Sequence, residues 1–258
     1  MKSIPYKNIS SISSFRKLSV GAWSRPSDPT VNIQIDCDIT RFNASDNVAT
    51  GLSKAQIIKL ISQVIEDVPD MNRVLIRRKI RQRLVNRIFV PTVFRRKGEI
   101  DLSGISIDNA YQLSIHDIEQ VMKNKVKAIR SFSDPQISRF IKILDFIPVI
   151  FMKPIVAIFN RLQYTLNLSL DLIGLPNDRF GSVSITFLAS FGIRYAAIPL
   201  FPLSRSPITI AVGQAFHSDG RHFLPLGVTF DHRYFDGLEG YHALKKLRYY
   251  CQHPDKIA

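Results

Sequence analysis

The run Val31-Asn-Ile-Gln-Ile-Asp-Cys-Asp-Ile39 alternates apolar and polar residues without a break. A period of two puts alternate side chains on opposite faces, so the run predicts a strand with one face buried. From Ser53 the period changes. Ile57, Ile58, Leu60, Ile61, Val64 and Ile65 recur at spacings of three and four, the stripe of an amphipathic helix. Ser53 is placed to cap its start and Pro69 to stop it. A further helix is expected from Met71 to about Arg83. Strands over Arg87–Phe94 and Leu102–Ile107 follow, then a helix from Ser114 to about Ser131.

Residues 137–170 read as helical but carry Pro148 and Pro154, which predicts two or three short helices instead of one rod. Beyond Phe180 the strand pattern returns at Ser182–Leu188, Pro207–Gly213 and His222–Phe230. The last two are expected to be joined through the hairpin-type turn Ser218-Asp219-Gly220. A closing helix from near Leu238 is expected to bury Leu238, Tyr241, Leu244 and Leu247. Helices and strands alternate along the whole chain, so the class is α/β, a mixed β-sheet with flanking helices. With 258 residues, 45% of them hydrophobic, the chain can bury one substantial core. We read residues 1–258 as a single domain, an N-terminal segment over 1–28 leading into a core over 29–258.

The formal charge of +14 changes this picture by adding partners to consider. Between Arg73 and Lys97 there are ten Lys/Arg and no Asp/Glu. Such a field suits nucleic acid, an anionic membrane surface or an anionic cofactor such as coenzyme A, or is the solvated face of a helix-to-strand segment. Few aromatics and no zinc-finger, phosphate-loop or RNA-recognition motif accompany it, so no nucleic acid partner is expected. The greasy stretch Phe140–Leu162 has uncharged runs of about seven residues, far short of the ~20 that span a bilayer. It fits core packing, an acyl channel or peripheral membrane contact. Cys37 and Cys251 are the only cysteines, which gives no disulfide framework and fits a cytoplasmic setting. His116, His217, His222, His242 and His253 form no pair with zinc-ligand spacing and a third partner, so no metal is expected.

The candidate chemistry lies near the C-terminus. His232-Arg-Tyr-Phe-Asp236-Gly237 follows the strand-like Phe223-Leu-Pro-Leu-Gly-Val-Thr-Phe230. A histidine released at a strand end, with a carboxylate four residues on and a glycine behind it, suits a positioned general base. With Asp231 ahead, the string resembles the Asp-His-Arg-x-x-Asp-Gly signature of dihydrolipoyl acyltransferases, the catalytic components of 2-oxo acid dehydrogenase complexes. Chloramphenicol acetyltransferase carries a looser form. The stretch Phe180-Gly-Ser-Val-Ser-Ile-Thr186-Phe-Leu-Ala-Ser-Phe-Gly192 resembles that family's Gly-x-Phe-Thr-Ile-Ser-Asn-Leu-Gly-x-Phe-Gly. Ile208-Thr-Ile-Ala-Val-Gly213, Pro29–Thr40 and Lys54–Asn72 resemble further family segments. The likeness is strong over 180–240 and weak over 73–170.

The resemblance implies a chloramphenicol acetyltransferase-like fold and a homotrimer whose catalytic pockets lie between subunits. It implies acyl transfer from a thioester such as acyl-coenzyme A, bound as substrate, to a small-molecule or carrier-bound thiol or hydroxyl. His232 would be the general base, Thr186 would stand where the family's hydroxyl residue stabilises the oxyanion, and Asp236 would fix the loop through an arginine, Arg16 or Arg25. The family's asparagine and glycine after that hydroxyl are replaced by Phe187 and Ala189, which bears on the acceptor pocket. No lipoyl domain, swinging linker or subunit-binding domain is legible, so no covalent lipoyl group is expected on this chain, as in stand-alone members of the group. Two other readings remain: a catalytically inactive trimeric scaffold, and a basic protein binding nucleic acid or a membrane surface.

Overall fold

The alternating run at residue 31 forms an edge strand of a mixed sheet, and the stripe after Ser53 forms the helix at the centre of the layer packed on it. The computed structural model describes residues 5–8, 30–42, 51–96, 99–131, 133, 147–171, 177–201 and 204–257. Its strands are β1 (Tyr6–Asn8), β2 (Thr30–Asp38), β3 (Arg73–Ile76), β4 (Lys79–Arg83), β5 (Arg87–Arg96), β6 (Glu99–Asp108), β7 (Val183–Phe187), β8 (Ile208–Val212), β9 (Phe216–Ser218) and β10 (Arg221–Asp231). Its α-helices are α1 (Lys54–Asp67), α2 (Ile115–Arg130), α3 (Met152–Asn160) and α4 (Gly237–Gln252).

The main sheet has the order β2-β10-β8-β7-β5-β6, with β9 paired to β10. The β5–β7 and β7–β8 pairs are parallel and the others antiparallel. One face carries Ile35, Cys37, Val183, Ile185, Ile208, Ile210, Leu224 and Leu226 into the core. Helix α1 lies against this face with Ile57, Ile58, Leu60, Ile61, Val64 and Ile65 buried. Ser53 caps it as expected, its hydroxyl accepting from Gln56 N while Gln56 Oε1 accepts from Ser53 N. Ser114 caps α2 with its hydroxyl, which accepts from Asp117 N at 3.1 Å and donates to Asp117 Oδ2 at 2.6 Å.

The other face of the sheet is polar: Asn32, Gln34, Asp36, Ser184, Thr186, Thr209 and Thr229 share it by alternation. Thr229 Oγ1 donates to Asn32 Oδ1 at 2.6 Å. An extended segment crosses this face, tied by Gln214 N to Ile193 O at 2.9 Å and by Tyr195 Oη to Asp36 Oδ1 at 2.7 Å. Glycine makes the close approach feasible. A Cβ on Gly227 would stand 1.9 Å from Ala196 O, and one on Gly213 1.8 Å from Arg194 O. Gly227→Ala is therefore expected to destabilise the fold by about 1–3 kcal/mol, measured by urea unfolding.

Three expectations need correction. The helix expected over Met71–Arg83 is a 3₁₀ turn, Pro69–Asn72, followed by the β3–β4 hairpin. Val74 and Ile76 are buried on one of its faces, and Ile80, opposite the half-buried Leu75, on the other. Its turn is Arg77-Arg78, both left-handed at φ 51° and 59°. Arginines give no turn signal, and two-residue hairpin turns of this hand favour Asn-Gly. The hairpin joins β1 in a small sheet of order β1-β4-β3, plugged by Tyr164 against Val74 and Ile76.

The second correction concerns Ser218-Asp219-Gly220. With φ of 50° and 72° at its last two residues, it closes the β9–β10 hairpin instead of joining β8 directly to β10. The third concerns α4. Leu244 and Leu247 face inward with Ala243, Tyr250 and Cys251, but Leu238 and Tyr241 are exposed. The cap at Asp236 fixes where the helix starts, and the inward stripe then begins a turn later.

Within residues 137–170 the described part does hold short helices. Pro154 lies in the first turn of α3, where its missing N–H is not needed. A wide π-type turn, Arg161–Thr165, follows it; residues 134–146 lie outside the described residues. The two cysteines meet, Cys37 from β2 against Cys251 from α4. Their hydrogen bond, with burial adding to it, pushes the Cys251 thiol up well above the usual thiol range.

Candidate active site

Strand β10 ends at Asp231, and the next five residues form a loop held from several directions. Asp231 N donates to Pro207 O at 2.9 Å, and Tyr234 N donates back to Asp231 O at 3.0 Å. The Asp231 carboxylate is buried. It accepts from Arg233 N at 2.9 Å and from the same residue's guanidinium at 2.6–3.1 Å. A charge-assisted fork of this kind fixes both position and direction.

The Tyr234 ring is buried, and its hydroxyl accepts from Leu75 N at 3.1 Å. Burial pushes this phenol up, with Asp231 adding to the effect, so it stays neutral. Arg73 Nη1 donates to Tyr234 O and to Glu239 Oε1, both at 3.1 Å. Strand β3 thus clamps the loop to the first turn of α4.

His232 is half-buried in this loop, and its Nδ1 lies 2.6 Å from Phe235 O. A backbone carbonyl only accepts, so Nδ1 carries the proton of the neutral ring and Nε2 keeps its lone pair. The ring is thereby set in the tautomer of a base working through Nε2.

Asp236 caps α4. Its carboxylate accepts from Leu238 N at 3.0 Å and Glu239 N at 3.4 Å, while Glu239 Oε2 accepts from Asp236 N at 2.7 Å. A carboxylate here also complements the positive end of the helix dipole. Its expected arginine partners, Arg16 and Arg25, lie outside the described residues.

Thr186 is half-buried on the polar face of β7. Phe187 points to the opposite face and packs against the core, with Lys54 Nζ 5.3 Å from its ring centre. It therefore does not stand beside the threonine hydroxyl. Within one chain Thr186 and His232 are not brought together. Thr186 pairs with Ala211 on β8, which pairs with Gly227 on β10, five residues before His232. At ~3.3 Å per residue and ~4.8 Å per strand, that is roughly 15 Å along the strands and roughly 10 Å across them.

Among the described residues no group of three or more His, Cys, Asp or Glu is arranged to hold a metal ion. No described helix is long and apolar enough to cross a membrane. The sequence reading missed Arg73, Tyr234 and Glu239 as supports of the histidine loop. Asp231 and Arg233 were legible inside the motif. Arg73, 161 residues from Tyr234, had no local signal.

No family model matches the chain, and no curated protein matches it. Solved structures do. Dihydrolipoamide acetyltransferase of Azotobacter vinelandii superposes with a TM-score of 0.61 at 17% identity, over 97% of this chain and 94% of that one. The fold is that of an acyltransferase core. A probable dihydrolipoamide acetyltransferase of Listeria monocytogenes gives 0.58 at 17% identity, over 95% and 94% of the two chains. Chloramphenicol acetyltransferase gives 0.51 at 12% identity, over 98% and 100%. The expected chloramphenicol acetyltransferase-like fold, a mixed sheet with flanking helices, is the one observed.

Proposed function

We propose that the chain is an acyltransferase moving an acyl group from a thioester, acyl-coenzyme A in the first instance, to a thiol or hydroxyl acceptor. The observation that carries this reading is the bond from His232 Nδ1 to Phe235 O, which leaves Nε2 as the basic nitrogen of a firmly held ring. The Azotobacter protein supports it: its catalytic mechanism has been investigated through a serine, a histidine and an asparagine, the last two standing four residues apart. His232 and Asp236 have the same spacing.

In this mechanism Nε2 takes the acceptor's proton as the acceptor sulfur or oxygen attacks the thioester carbonyl carbon. The Thr186 hydroxyl donates to the resulting oxyanion. Collapse expels the coenzyme A thiolate, which receives the proton from the imidazolium, and no acyl-enzyme forms. Asp236 acts by fixing the start of α4 and with it the loop. The separation of Thr186 and His232 within one chain favours a site built from two copies, His232 from one protomer and Thr186 from its neighbour in a trimer.

The test is incubation of the purified chain with a panel of acyl-coenzyme A thioesters and dihydrolipoamide, reading the S-acyl product by mass spectrometry. Turnover with at least one donor is expected. A folded trimer that yields no acylated product with any donor would replace this reading with the scaffold one.

A further inference from the structure

The segment around α3 is inverted relative to an ordinary surface helix. Its outward stripe is Ile150, Phe151, Pro154, Ala157 and Ile158, apolar where a solvated helix carries charge. Ile150 is 79% exposed, Phe151 55% and Ile158 54%, and Leu166 just beyond is 46% exposed. Contiguous apolar surface of this kind marks an interaction site. The only charged residues from Ile147 to Leu170 are the cations Lys153 and Arg161, both exposed at the rim of the stripe.

A second feature adjoins it. The tip of the β3–β4 hairpin is docked on the end of this segment, with Arg77 N donating to Tyr164 O at 3.0 Å and Arg77 Nη2 to Leu166 O at 3.4 Å. Arg77, Arg78 and Lys79 are all exposed there. Of the run's other cations, Arg83 is paired with Asp178, Arg87 with Asp108, and Arg73 with Asp70 and Glu239, while Arg95 is exposed on β5. The fold therefore sets three consecutive outward cations of the run beside the exposed apolar stripe.

We propose that this face docks on an anionic lipid bilayer, with Ile150, Phe151 and Ile158 entering the headgroup–acyl boundary and the five cations meeting lipid phosphates. Shallow apolar insertion flanked by Lys and Arg is how interfacial helices bind such surfaces. A second copy of this chain fits less well, because a two-fold contact through the patch sets its cations against themselves. The chain's overall charge of +14 attracts anions without any particular geometry, so the apolar side chains are what the experiment must isolate.

The full chain is floated with vesicles of phosphatidylcholine alone and with an equimolar share of phosphatidylglycerol, while its size in solution is followed by light scattering. Binding is expected to the anionic vesicles only. The variant Ile150→Ser/Phe151→Ser/Ile158→Ser, which touches only exposed side chains, should lose it. The variant Arg77→Gln/Arg78→Gln should bind at least about tenfold more weakly. The proposal is overturned if the serine variant floats as well as the parent, which would leave only diffuse charge attraction. It is equally overturned if neither vesicle binds; a serine variant that then changes the oligomeric size would make the face a contact between copies.

Discussion

His232→Ala is expected to lower kcat for acyl transfer by about 10²–10⁴-fold, the range a positioned general base contributes. Its oligomeric size and melting temperature stay close to those of the parent. The chemistry would be lost because the methyl group of alanine cannot take the acceptor's proton. The structure survives because the imidazole supplies only one of the loop's many ties. Asp231 with Arg233, Tyr234 with Leu75, Arg73 with Glu239, and the capping box at Asp236 all remain. Steady-state kinetics on the acylated acceptor, read beside thermal melts, separates the two effects. Unchanged kcat in a folded variant would take His232 out of the reaction.

Mixing two inactive variants is expected to restore activity. Thr186→Ala removes a single oxyanion donor and should cost about 10²–10³-fold in kcat. Each variant alone is then nearly silent. Denatured together in equal amounts and refolded, they are expected to reassemble as mixed trimers. If each site takes its histidine from one protomer and its hydroxyl from the next, about a quarter of the sites regain both groups by random assortment. A site contained within one chain gains nothing from mixing. The register placing Thr186 level with Gly227 is what makes recovery the expected result. Activity of the mixture no higher than that of its components would end the shared-site arrangement while leaving the role of His232 to the first experiment.

The sheet strands flanking the site were legible because their patterns are local. Val31–Ile39 alternates, and it forms β2; Pro207–Gly213 and His222–Phe230 are apolar runs of strand length, and they form β8 and β10. Ser53 and Ser114 announced their helices by capping, which is decided within three residues. The Met71–Arg83 region was misread for the converse reason. Its apolar residues fit either period over so short a stretch, and burial against Tyr164, some ninety residues on, selects the hairpin. The outward turn of Leu238 and Tyr241 was likewise set by where α4 packs, not by their hydrophobicity.

By itself the sequence offered the candidate chemistry: a histidine after a strand with a carboxylate four residues later, and, through the family resemblance, a hydroxyl on a separate strand. These depend on residue identity and on neighbours a few positions away, which a chain carries wherever it folds. Only the tertiary structure decided what orients the histidine, since the clamp from Arg73 and Leu75 joins residues about 160 positions apart. It alone set Thr186 and His232 apart within the chain, and it alone brought the hairpin's arginines beside the apolar stripe at α3. Strand order and chain crossings govern those distances, and neither periodicity nor spacing along the sequence encodes them.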